Sequence, residues 1–238
     1  MVINNYLYLT AYRFGIFKTD KYLNIIGNYV SDYFEGMYYN SSSNSIFVAS
    51  YYDKKIVEFT KDLLLLSSFS TANYMPASIN GINDKLYVGT LDGVILVLIN
   101  RIISQVYLGC DSISYYYSAT SIFFDNYGNI GVDCDSVYDH YFAVFFINGT
   151  FTGNKLMTPV NNSYSSDVKF DSLNRLIAVS EKQISIFDSI STTTTTMSTA
   201  TTTTRSTTTS TSTTTKTTTT TSTVTTTTTR LTGKIFIY

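Results

Sequence analysis

The 238-residue chain has no tryptophan, two prolines, two cysteines and one histidine. Each shortage excludes something. A lone histidine, His140, leaves no pair with zinc-ligand spacing. It also leaves little for nucleophilic catalysis, which usually draws its base from histidine. Two cysteines are too few for a disulfide-dense scaffold, and a chain of this length can bury a core without one. Charge is sparse at 14% and nearly balanced at −1. The first 190 residues carry −5 and the remainder +4, with no basic stripe, which argues against a nucleic-acid partner. No run of 18 apolar residues occurs, so no membrane-spanning helix is expected. The opening Met1–Phe14 stretch lacks the basic and apolar regions of a signal peptide. No glycine-rich loop opens a helix, so there is no phosphate cradle.

What the chain does have is repetition. Apolar runs beginning at Leu7, Ile46, Leu86, Ile130 and Leu176 recur at steps of 39, 40, 44 and 46 residues, the period of a four-stranded propeller blade. Each run is preceded by a short segment ending in a polar turn and followed by an alternating strand, as in Lys55-Ile-Val-Glu-Phe and Val94-Ile-Leu-Val-Leu. A fourth run closes most units, as in Leu63-Leu-Leu-Leu. Helical spacing is sustained nowhere, and 21 Tyr and 15 Phe suit pleated, half-buried surfaces. The reading is all-β. A sandwich is the competing architecture, but its strands would not group in fours with one internal order.

The segment Ser121-Ile-Phe-Phe-Asp-Asn-Tyr-Gly-Asn-Ile-Gly-Val-Asp and the strand pair running from Asn44 to Thr60 carry a resemblance. They resemble the NHL-type repeat and, more broadly, a blade of the TolB-like six-bladed β-propellers, over residues 1–188. Ser50, Thr90 and Ser180 stand where that family often has Asp. The resemblance implies radially packed sheets. It also raises a hydrolase or lactonase function, because propeller enzymes of the gluconolactonase kind hold a divalent metal in the central channel with Glu, Asn and Asp from several blades. The matching segments here, Tyr38-Tyr39, Ile79-Asn80, Phe123-Phe124 and Lys169-Phe170, supply no convergent carboxylates. Catalytic residues, metal and cofactor are therefore expected to be absent. The count of strands is 3, 4, 4, 4 and 3, about four and a half to five blades, so the chain reads as a fragment or as an unusual ring.

Three segments follow: a propeller over 1–190, a disordered linker over 191–230 and a separate terminal strand over 231–238. From Thr192 to Thr229, 28 of 38 residues are Thr and 5 are Ser, with no apolar alternation to offset the entropy of ordering. Such a tract is a mucin-like glycosylated stalk or an inert expansion. Beyond it, Lys234 to Tyr238 alternates like a third blade strand and suits the open edge left at Gln183 to Phe187.

Few residues remain for function. Tyr115, Tyr116 and Tyr117 lie in one inter-unit connection and cannot all point inward; exposed tyrosine offers contact area at low rotamer cost, which points to a protein partner. Packing over the end of the core is the alternative. The acidic stretch from Asp133 to His140 has oxygens for Ca²⁺ but no calcium-loop spacing. Asn40, Asn148 and Asn161 head N-glycosylation sequons in turns. The function expected is a non-catalytic binding or scaffold module that presents loops, extracellular if a signal peptide precedes it; a fragment without independent function is the further alternative. Cys110 follows the fourth strand of the third unit and Cys134 ends the second strand of the fourth, two points on the same face of an up-and-down array. A disulfide there would contribute roughly 3 kcal/mol and imply an oxidising compartment; two free thiols of a cytosolic protein are the alternative. Thiol titration of the denatured, unreduced protein should find none free, and two reactive thiols would remove both the bridge and the compartment.

Overall fold

The computed structural model describes residues 1–11, 13–30, 33–110, 118–135, 140–157, 165–173, 175–180, 184–187, 190–197, 224–231 and 234–236. No helix occurs among them. Five four-stranded antiparallel sheets follow one another along the chain. The first holds β1 (Val2–Ile3), β2 (Tyr6–Ala11), β3 (Gly15–Thr19) and β4 (Ile25–Tyr29). The second holds β5 (Phe34–Asn40), β6 (Ser45–Ser50), β7 (Lys55–Thr60) and β8 (Leu65–Ser70). The third holds β9 (Pro76–Ile82), β10 (Lys85–Thr90), β11 (Val94–Ile99) and β12 (Ile102–Leu108). The fourth holds β13 (Ser118–Phe124), β14 (Ile130–Asp135), β15 (His140–Phe145) and β16 (Phe151–Met157). In the fifth, β17 (Ser165–Phe170), β18 (Leu176–Ser180) and β19 (Ile184–Phe187) take their fourth member from the far end of the chain. Between β19 and that last strand lie β20 (Ile190–Met197) and β21 (Val224–Leu231), and the last strand is β22 (Lys234–Phe236). The fold is a β-propeller of five such blades.

The middle strands explain why the apolar runs are continuous. A strand sends successive side chains to opposite faces, and in the second to fourth blades both faces are covered. Ile46 and Val48 of β6 pack with Tyr8, Ile16 and Phe34 towards the first blade. Phe47 and Ala49 of the same strand pack with Leu86, Val88 and Leu96 towards the third. In β11 the alternation repeats: Leu96 and Leu98 face the second blade, while Ile95 and Val97 join Ile130, Val132 and Tyr141 of the fourth. Truncating one of these buried aliphatics to alanine costs about 2–5 kcal/mol.

The first strands line up at the centre. β5, β9, β13 and β17 are neighbours in turn, and β2 meets β5 where β1 is only two residues long. Side chains tie these strands across the blades: Thr10 Oγ1 donates to the carbonyl of Glu35 at 2.6 Å, Ser78 Oγ to that of Ala119 at 3.1 Å, and Asn80 Nδ2 to that of Ile122 at 3.1 Å. Glycine permits the approach. A Cβ on Gly36 would meet the Ser78 Cα at 2.6 Å, so β5 and β9 come this close only because no side chain intervenes.

Turns between first and second, and third and fourth, strands share a chemistry. Asp125 Oδ1 accepts the backbone N–H groups of Tyr127 and Asn129 at 2.9 and 2.7 Å, and Gly128 takes φ +81°. Asp20 and Asp171 repeat that pair of contacts at their own turns. The Arg175 N–H and guanidinium hold the Asp171 carboxyl below its usual range. These are side-chain-mimicked turns, closed at Gly128 and at Leu23 by a left-handed residue.

The ends of the chain and of the threonine tract complete the strand count. The first blade is completed by β1, which pairs with β2 through an Asn4–Asn5 turn of positive φ at both residues. The separate terminal segment takes up the open edge that its alternation suited: β22 pairs antiparallel with β19, Ile184 opposite Phe236, and fills the fifth blade. The two ends of the threonine tract, β20 and β21, form a two-stranded ladder of mostly threonine opposite threonine. Between its end pairs the ribbon is polar, and β21 lies against β16 of the fourth blade; residues 198–223 lie outside the described residues. Deleting 231–238 should uncover the β19 edge and lose about 2 kcal/mol, lowering the melting midpoint by roughly 4–8 °C; an unchanged midpoint would mean that β22 adds nothing.

Candidate functional sites: a central cavity and a tyrosine cluster

The inner strands enclose a cavity of about 740 Å³, reached by residues of all five blades. Its wall includes Val2, Glu35, Ser78, Asn80, Ser121, Phe123 and Lys169. Glu35 is the one carboxylate among the described lining residues. It reaches the channel because the β5–β6 register shifts between Phe34 and Met37: Phe34 turns into the core and the bulged Glu35–Gly36 pair turns inward. Burial pushes the Glu35 carboxyl above its usual range, and no charged or hydrogen-bonding group counters it. Sequence reasoning missed Glu35 because it took Tyr38-Tyr39 as the segment of that unit matching the channel. The visible signal was an acid beside a glycine.

One acid does not make an acid–base pair, and a hard divalent cation takes several oxygen ligands. No group of three or more His, Cys, Asp or Glu among the described residues is placed to hold a metal. Asp133 and Asp135, read as part of an acidic loop, lie within β14, and Asp133 is buried. His140 opens β15.

The opposite chemistry appears where second strands turn into third strands and blades connect. Tyr33, before β5, lies with its ring 5.7 Å from Tyr51 and 3.9 Å from Tyr52, both of the β6–β7 turn. The guanidinium of Arg13 stands 5.9 Å from the Tyr33 ring centre. Tyr52 is 55% exposed, and Phe14, next to Arg13 in the β2–β3 turn, is 66% exposed. On the other side of the disc Tyr22 and Tyr127 are exposed as well, but each in its own turn.

Cys110 and Cys134 lie on the same side as the tyrosine cluster. Their sulfurs are at bonding distance, with Cα atoms 5.7 Å apart, and both residues are buried. The pair joins the exit of the third blade to β14 of the fourth and so fixes one end of the connection that carries Tyr115, Tyr116 and Tyr117. Those three tyrosines, like Asn161, lie outside the described residues. Asn40 and Asn148 are described, at the β5–β6 and β15–β16 turns on the far side of the disc.

No family model matches the chain, and no curated protein does. Among solved structures, hydrazine synthase of Kuenenia stuttgartiensis, a propeller-containing protein, superposes with a TM-score of 0.58 at 11% identity. The match covers 73% of this chain and 56% of that one, so this chain spans little more than half the other's length. At that identity the likeness bears on fold alone. Since 506 solved chains match, the fold singles out no activity.

Glu35 yields a test with a definite sign. A carboxyl raised by folding keeps a proton that the unfolded chain has released, so stability falls as pH rises through the raised value. Glu35→Gln should therefore raise the melting midpoint at pH 7 by a few degrees, and the gap should close below about pH 4, where both states are protonated. A variant no more stable than the wild type at pH 7 would show that Glu35 has a partner or is solvated.

Proposed function

We propose that this chain is a non-catalytic, extracellular β-propeller of the NHL and TolB-like kind, a rigid disc that holds loops out to a protein partner. The observation that carries the reading is the cluster of Tyr33, Tyr51 and Tyr52 with Arg13 and exposed Phe14. Aromatic and arginine side chains on one patch are what protein interfaces are enriched in, and they dominate binding energy where they are found. The turn that bears Tyr51 and Tyr52 hangs on β6 and β7, strands buried on two faces, so little order has to be gained there on binding. The Cys110–Cys134 pairing supports an oxidising compartment. The rival reading, a propeller hydrolase or lactonase, rests on Glu35 alone.

Screening the purified full chain against an array of secreted and cell-surface ectodomains tests both readings. A partner so found should lose affinity about tenfold or more with Phe14→Ala combined with Tyr52→Ala. Ser43→Ala, on the opposite side, should leave it unchanged. Binding that ignores the double variant would displace the interface. Bound metal together with ester or lactone hydrolysis that is lost in Glu35→Gln would replace the binding reading with the enzymatic one.

A further inference from the structure

We propose that Asn40 and Asn148 are N-glycosylation acceptors, and that their sugars sheath the side of the disc opposite the tyrosine cluster. The inference rests on the extracellular reading above. Asn40-Ser41-Ser42 and Asn148-Gly149-Thr150 are acceptor sequences without proline at the middle position. Both sit in first-to-second or third-to-fourth strand turns, which an up-and-down blade places on one side. The two turns belong to the second and fourth blades, so the sugars would stand on alternate blades rather than side by side.

The two sites share one hydrogen bond, although Asn40 ends β5 and is half-buried while Asn148 stands exposed in its turn. Asn40 Oδ1 accepts the backbone N–H of Ser42 at 2.9 Å, and Asn148 Oδ1 accepts that of Thr150 at 3.0 Å. Each amide is thus held by its oxygen to the residue whose hydroxyl completes the sequon. Its Nδ2 has no partner among the described residues. Ser41, Ser42, Asn148 and Thr150 are exposed, so a transferred sugar meets solvent rather than core. Beside Asn40 lies a polar groove of about 310 Å³ between the turns of the second and third blades, lined by Tyr38, Asn83, Asp84 and Lys85, which gives the first sugar ring hydrogen-bonding neighbours.

In the transfer, Nδ2 attacks the anomeric carbon of a polyprenyl-diphosphate-linked oligosaccharide. The new carbon–nitrogen bond forms as the bond from that carbon to the diphosphate oxygen breaks. One Nδ2 proton passes to the transferase base, and the polyprenyl diphosphate leaves with the bonding electron pair. No oxidation or reduction is involved.

The consequence is an orientation. Sugar on the side that carries Asn40 and Asn148 closes that side to proteins, leaving the side with Tyr33, Tyr51 and Tyr52 as the one that docks. The two proposals thus support each other but fail separately.

The test is translation of the full chain behind a supplied cleavable leader into endoplasmic-reticulum microsomes, scoring only protease-protected chains. Supplying the leader separates the acceptor question from where the natural chain resides. The protected chain should show a mobility shift that peptide-N-glycosidase reverses, and peptide mass spectrometry should find Asp at both 40 and 148 afterwards. Ser42→Ala and Thr150→Ala each keep the asparagine and its turn hydrogen bond, and each should lose one step of the shift. A protected chain with asparagine retained at either position overturns the proposal, as does a shift that neither variant alters. Modification with failure of the natural chain to leave the cytosol would instead overturn the extracellular reading and leave the acceptors standing.

Discussion

The second, third and fourth blades depend on one constraint: their middle strands are buried on both faces, and the two faces belong to different interfaces. Even and odd positions of β6 serve the first and third blades respectively, and those of β11 serve the second and fourth. A slip of one residue would exchange the two sets at a stroke, sending Phe47 where Val48 sits. Register is therefore specified twice over. The same constraint keeps charge out of these strands unless it is answered, and it leaves the exposed outer strands and the turns free to vary.

The turns have used that freedom in two ways. Those between first and second and third and fourth strands close with Asp, Asn or Thr accepting backbone N–H groups, as at Asp20, Asn40, Thr60, Asp125 and Asp171. They satisfy themselves and project little. Those on the other side are less regular and bring Tyr33, Tyr51 and Tyr52 into mutual contact. Loops of this second kind, held by a rigid scaffold, are where binding residues concentrate. The division follows from the up-and-down path of the chain, which sends alternate turns to opposite sides and lets each side acquire its own composition.

The period and the two-sided apolar runs were readable because burial on both faces writes itself into sequence as uninterrupted Val, Ile and Leu. The edge left at Gln183 to Phe187 and the alternation of the terminal segment together pointed to the pairing of β22 with β19. Two features did not surface. Strand β1 is two residues long and shows only as the Asn4–Asn5 turn that reverses the chain after it. The buried charge of Glu58 looked like the polar half of an alternating strand. Its side chain is 2% exposed, because its face is covered by the third blade. Its partner, Arg101, lies 43 residues away in another blade's turn, beyond the reach of any local pattern.

Glu58 and Glu35 together show how the fold treats a carboxylate drawn out of water. Glu58 accepts from Arg101 and from Ser67, each at 2.7 Å, so its charge is held from two sides and ties the second blade to the third. Removing one member of such a pair leaves the other uncompensated and typically costs several kcal/mol for a fully buried pair, less here because Arg101 is 57% exposed. Glu35 has no such answer, and its raised proton affinity is the sign. A structural role for Glu35 would call for a partner like Arg101. None is present among the described residues, so its place at the rim of the central cavity has to be explained by what enters the cavity or by nothing. The stabilities of Glu35→Gln at neutral and acid pH measure how large that unanswered term is, and a term near zero would make Glu35 an ordinary solvated carboxylate.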